Sequence, residues 1–87
     1  AMAQYDFKGI VLDKETGKPI EAATISTMIN QAIFTNENGV FYIYNIKNIF
    51  KIPISVTAIG YKTLDTTYLT DGNVHTLYLS PNPPLLQ

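Results

Sequence analysis

The sequence predicts an all-β chain, a seven-stranded antiparallel Greek-key β-sandwich. Three observations predict it. Val, Ile, Thr, Tyr and Phe dominate the apolar segments, and no stretch carries an apolar stripe of helical period. Turns built from Gly, Asn and Asp recur at short intervals, as in antiparallel sandwiches. A chain of 87 residues holds one domain at most, and 46% hydrophobic residues suffice for its core.

Each element follows in order from local chemistry. The first strand spans Tyr5–Leu12, with Phe7, Gly9 and Val11 on one face and Asp6 and Lys8 on the other. Asp13–Gly17 is polar and ends on a Gly able to take positive φ, so it is a turn. Pro19 lacks an N–H and suits the entrance to the second strand, Glu21–Thr27, which turns Ala23 and Ile25 inward. A third, short strand covers Ala32–Thr35. Asn36–Gly39 is the strongest local turn signal and reads as a tight hairpin loop with Gly39 in the left-handed position.

The fourth strand, Val40–Tyr44, sends Phe41 and Ile43 one way and Val40, Tyr42 and Tyr44 the other. Asn45–Lys51 is a connection. In the fifth strand, Ile52–Ile59, Ile52, Ile54, Val56 and Ala58 share the core face, and Pro53 predicts an edge or bulge. Gly60 and Tyr61 mark a bend before the sixth strand, Lys62–Leu69. Thr70–Asn73 is a second clear turn, and the last strand is Val74–Leu79, stopped by Ser80 and Pro81.

Composition excludes several classes. Six basic and seven acidic residues leave a net charge of −1 with no basic patch, so nucleic acid is not an expected partner. No apolar run approaches the roughly 20 residues of a membrane-spanning helix. Cys is absent, which removes disulfides and thiolate metal sites. Ala1–Ala3 reads as an expression scar, and Ala3-Gln4 suits a secretory cleavage site with Gln4 as the mature N-terminus, the favoured reading over a plain native cytoplasmic start. Residues 4–80 form the sandwich, and residues 81–87 begin a stiff Pro-rich linker to something longer.

The ordered motifs carry a family resemblance. They are G-x-V-x-D at Gly9–Asp13, T-G-x-P-I at Thr16–Ile20 and A-x-I at Ala23–Ile25. N-x-N-G-x-F-x-I follows at Asn36–Ile43, and I-G-Y at Ile59–Tyr61. Together they resemble the carboxypeptidase regulatory-like domain, a transthyretin/prealbumin-like sandwich. In physical terms, Gly9 lets another backbone come close, Thr16-Gly17 and Asn38-Gly39 close hairpins, Phe41 plugs the core, and Gly60 turns Tyr61 onto the sandwich end. The connection Asn45–Lys51 departs from the Pro/Gly-rich form common in the family.

The resemblance implies a non-catalytic accessory domain without cofactors. It is the type found at the N-terminus of TonB-dependent outer-membrane transporters, and Ser80–Gln87 is similar to the linker that precedes the TonB box. It implies a periplasmic location, tethered to the outer membrane through the parent protein after signal-peptide removal, with a protein partner in the cell envelope. Two alternatives stand beside it: a carbohydrate-binding module, and a structural spacer beside a peptidase.

Candidate chemistry is sparse. His75, the single His, cannot build a triad or a metal site without partners and reads as edge-of-core. The 5-hydroxyisourate hydrolases of similar fold use several His and Arg residues, and this chain has no Arg. Asp13, Glu15, Glu37 and Asn38 lack calcium-loop spacing and fit turn geometry. Lys8 lacks an Asn on the last strand with which to form an isopeptide bond, and reads as solvated. The candidate binding residues are Tyr42 and Tyr44. They share the outward face of the fourth strand, where they could meet a protein or a glycan, and a protein is favoured because Trp is absent.

Overall fold

The structure is a computed structural model that describes residues 6–28, 32–46 and 49–82. The scar at 1–3, Gln4, the start of the first strand at Tyr5, the middle of the Asn45–Lys51 connection and linker residues 83–87 lie outside the described residues.

Seven strands are present and no helix among the described residues: β1 Phe7–Asp13, β2 Thr24–Thr27, β3 Ile33–Phe34, β4 Val40–Ile43, β5 Lys51–Thr57, β6 Leu64–Leu69 and β7 Val74–Leu79. They form a three-stranded sheet in the order β4-β1-β7 and a four-stranded sheet in the order β3-β2-β5-β6. The two sheets face each other as a prealbumin-type sandwich. The expectation of a wholly antiparallel sandwich is corrected in one pair. The pairs are antiparallel except β1 and β7, which run parallel from Lys8 opposite Val74 to Asp13 opposite Leu79.

Alternation drives the packing. Along β1 the residues Phe7, Gly9, Val11 and Asp13 are buried, and those between them are half-exposed. Phe41 and Ile43 of β4 and Leu77 and Leu79 of β7 complete that layer. Ile25, Ile52, Ile54 and Val56 face them from the second sheet. Ile46 is buried, Ile49 packs against the core, and Phe50 stands in solvent.

Two glycines carry the packing, and one expectation about them is corrected. No backbone crosses Gly9. A Cβ there would stand 2.3 Å from Phe41 Cζ, so the space is filled by the Phe41 ring. The close backbone approach belongs to Gly39, with φ of 75°. A Cβ there would lie 2.5 Å from the Val11 carbonyl oxygen, and its own carbonyl accepts the Val11 N–H at 2.8 Å.

Several predicted boundaries move for identifiable reasons. The second strand starts at Thr24 because Ala22 takes a φ of 62° and breaks the extended run. Thr35 secures that segment. Its hydroxyl donates to the Ile20 carbonyl at 2.7 Å and accepts the Ala23 N–H at 2.9 Å. The Asn36–Gly39 turn is tight, with Gly39 N–H donating to the Asn36 carbonyl, but β3 and β4 belong to different sheets. It is therefore a corner between layers and not a hairpin. β4 stops at Ile43, and Asn45 follows with a φ of 66°.

The Gly60 bend ends β5 at Thr57, short of the predicted Ile59. β6 starts at Leu64 because Lys62 N–H is spent on the Ser80 carbonyl at 2.9 Å. The edge expected from Pro53 is also corrected: β5 is an interior strand. The β2 ladder ends with Thr27 opposite Ile54, so Pro53 sits one residue past it, where the missing N–H costs no bond to β2.

Substituting Gly9→Ala forces the buried Phe41 ring out of its seat. It is expected to cost about 1–3 kcal/mol of stability, the usual range for overpacking. Urea unfolding of Gly9→Ala against Gly9→Ala with Phe41→Leu checks it, because the smaller side chain should recover part of the loss.

Candidate functional site

The two outer faces of the sandwich differ in chemistry. On the four-stranded sheet, the cross-strand row Ser26, Ser55 and Asp65 and its neighbours Thr24, Thr57 and Thr67 present hydroxyls and a carboxylate, and Phe34, opposite Thr24, and Leu69, opposite Lys51, stand exposed beside them. A shallow groove runs there past Met28 and Pro53, at the point where β2 ends. On the three-stranded sheet the outward row is mainly apolar, interrupted by Lys8 and by Thr76 opposite Ile10. β1 contributes Lys8, Ile10 and Leu12, β4 contributes Val40 and Tyr42, and β7 contributes Val74 and Tyr78. Val74 and Tyr78 are about half exposed, at 47% and 51%.

Of the two predicted binding residues, the register places Tyr42 on this second face. Tyr42 lies outward beside Lys8 in the β1–β4 register, and the Lys8 ammonium sits 5.7 Å from its ring centroid. Tyr44 is exposed just beyond the end of β4. The face therefore extends past Tyr42 to Ile10, Leu12, Val74 and Tyr78. Sequence reasoning missed those residues because their grouping depends on β7 lying beside β1, which no local signal reveals. Lys8, on the outer face, also points away from the buried layer, so it has no route to a buried crosslink.

The remaining candidates are structural. Asp13 is saturated by donors. Its Oδ1 accepts Glu15 N–H at 2.7 Å and Thr16 N–H at 2.9 Å, and its Oδ2 accepts the Tyr61 hydroxyl at 2.6 Å. The Tyr61 bond, and then the turn amides, hold the Asp13 carboxyl below its ordinary value, and the same bond raises the Tyr61 phenol. Asn36 Oδ1 accepts Asn38 and Val40 N–H, an ordinary turn use. Among the described residues, no group of three His, Asp or Glu side chains could hold a metal.

His75 stacks on Phe7 at 4.9 Å with rings 1° from parallel, touches Tyr68 at 5.3 Å, and places Nε2 3.0 Å from Asp71 Oδ1. It is thus an edge-of-core residue. Asp71 is held low, chiefly by the Asn73 N–H and also by His75. At the same end of the sandwich, Phe50 and Leu69 leave apolar surface exposed, and Thr70 donates its hydroxyl to the carbonyls of Ile49 and Phe50.

The fold is a two-layer, all-β sandwich of three and four strands. The sequence model of the CarboxypepD_reg-like domain family matches residues 7–85, and the chain belongs to that family. Among curated proteins none matches the sequence. Among solved structures, the shaft pilin SpaA of Lactobacillus rhamnosus GG is similar in fold, with a TM-score of 0.70 at 13% identity over 98% of this chain. This chain spans half of that pilin, at 50% of its length. The isolated C-terminal domain of the same pilin aligns over 93% of this chain and 100% of its own, with a TM-score of 0.69 at 13% identity. An E139A mutant of the pilin gives 0.71 at 13% identity, over 97% of this chain and 48% of its own.

The Asp13–Tyr61 bond has a defined pH signature. A depressed Asp13 contributes stability above its ordinary value of 3.8, and this is lost as pH falls through the lower folded value. A raised Tyr61 contributes stability below its ordinary 10.0, lost as pH climbs through the higher folded value. Tyr61→Phe should therefore lower stability at neutral pH and flatten both limbs, as read by urea midpoints from pH 3 to pH 11. Unchanged limbs would mean that this bond contributes nothing to either.

Proposed function

We propose that the chain is a non-catalytic accessory domain of a Gram-negative envelope protein that works by contacting another protein. Its parent in this reading is a TonB-dependent outer-membrane transporter, with the sandwich as N-terminal extension in the periplasm. The observation that carries the reading is the cluster of Ile10, Leu12, Tyr42, Val74 and Tyr78 on the outer face of β4-β1-β7. Soluble domains seldom present a contiguous apolar patch with aromatic residues unless something covers it. Tyr42 and Tyr78 are the aromatic anchors such a contact uses.

Family membership supports the accessory role, and the donor-saturated Asp13 and stacked His75 fit a domain without chemistry of its own. The partner in this reading belongs to the energy-coupling machinery that contacts such transporters. A second route lies at the edge strand β6, whose outer side could accept a partner strand. β5, with the edge that Pro53 predicts from sequence, is interior and offers none.

Binding to the purified periplasmic part of the energy-coupling protein tests the reading. Tyr42→Ser with Tyr78→Ser should weaken it at least about tenfold, or about 1.4 kcal/mol, with Tm nearly unchanged. Ser55→Ala with Thr57→Ala, on the opposite face, should leave it intact. Equal affinity in all three proteins would end the face proposal. The native reading frame beyond Gln87 tests the parent: a plug segment followed by many alternating strands of roughly ten residues supports a transporter, and a peptidase sequence contradicts it.

A further inference from the structure

The first and last strands are neighbours in one sheet and run the same way. The chain therefore enters beside Val74, at the Phe7 end of the sheet, and leaves at the opposite end, where Leu79 lies beside Asp13. Both passages are tied down. At the entrance, Asp6 N–H donates to the Ile43 carbonyl at 2.9 Å, and Asp6 Oδ2 accepts Ile46 N–H at 3.1 Å. At the exit, Asn82 N–H donates to the Gly60 carbonyl at 2.8 Å, and Pro81 bridges to Tyr61.

We propose that the domain is a tension-bearing link, in which a pull along the chain is carried as shear by the β1–β7 ladder. Opposed pulls at residues 6 and 82 slide β1 lengthwise against β7. The evenly spaced bonds of a parallel ladder then share the load and must fail together. Pulling both strands from one end would instead break the same bonds in succession, each at low force. Resistance to such loading depends on the height of the unfolding barrier and not on equilibrium stability alone.

The local structure suits this loading. Six register pairs join the strands, and Lys14 N–H adds a bond to the Leu79 carbonyl at 2.9 Å. Val11 N–H points to Gly39 on the β4 side, so alternation turns the N–H groups of Ile10 and Leu12 toward β7. β1 cannot peel sideways, because β4 holds its other edge from Phe7 to Ile10. The stacked Phe7 and His75 rings, one on each strand, must slide past each other for the ladder to move. The Asp13–Tyr61 bond ties the far end of β1 to the segment that grips the exit. None of this depends on the identity of the parent or of any partner.

Single-molecule pulling in two geometries tests the proposal. The chain lacks Cys, so Asn73→Cys supplies a single attachment point in the exposed turn before β7. Loading through the two termini shears the ladder, and loading through the N-terminus and Cys at 73 unzips it. The expected result is a severalfold higher rupture force in the terminal geometry. His75→Ala should lower that force and leave the unzipping force nearly unchanged. Equal rupture forces in the two geometries overturn the proposal. So does a matched fall in both geometries on His75→Ala, which would assign the resistance to global stability.

Discussion

The rest of the structure depends on the double engagement of β1. This strand has β4 on one edge, β7 on the other, and a buried face of Phe7, Gly9, Val11 and Asp13. Its inward residues are matched to what covers them. Gly9 leaves room for the Phe41 ring, and Phe7 lies against both Phe41, at 6.0 Å, and His75. A side chain at Gly9 would displace the ring that seals the centre of the sheet. Small domains have little stability to spare, so the fit of one strand between two others governs the whole sandwich.

From that centre the two sheets take different roles. The four-stranded sheet supplies the isoleucines of β5 to the core and shows hydroxyls, Phe34 and Leu69 to solvent. The three-stranded sheet supplies Phe41, Leu77 and Leu79 to the core and shows Ile10, Leu12, Tyr42 and Tyr78 to solvent. Carboxylates that could have been ligands are instead consumed by turns, with Asp13 joining the first turn to the β5–β6 bend. A prealbumin-type sandwich can host many functions.

Much of the fold was legible because it is written in alternation and turn chemistry. The inward sets on β1, β4, β5 and β7 follow from period-two patterning, and the turns at Asp13–Gly17, Asn36–Gly39 and Thr70–Asn73 follow from Asx geometry and Gly. What stayed hidden is non-local. The parallel β1–β7 pair leaves no trace in either strand, because the alternation of Val74–Leu79 suits a neighbour of either direction. Asn36–Gly39 has hairpin chemistry, yet the chain changes sheets there. Pro53 signals a lost bond correctly, but only the length of β2 shows that the loss falls in an interior strand. Thr35 and Ala22 hold the start of β2 through contacts that no spacing encodes. Of the outer face, Tyr42 was visible through its alternation with Tyr44, and the β1 and β7 contributions needed the topology.

Native-state amide hydrogen exchange tests the central claim most directly. If β1 is clamped from both sides, Ile10 and Leu12, facing β7, should exchange only through global unfolding, as slowly as Gly9 and Val11 facing β4. Their opening free energies should equal the stability measured by denaturant. If Ile10 and Leu12 exchange markedly faster than Val11, then β7 opens locally from β1. The strand would then be held from one side only, which contradicts the double clamp.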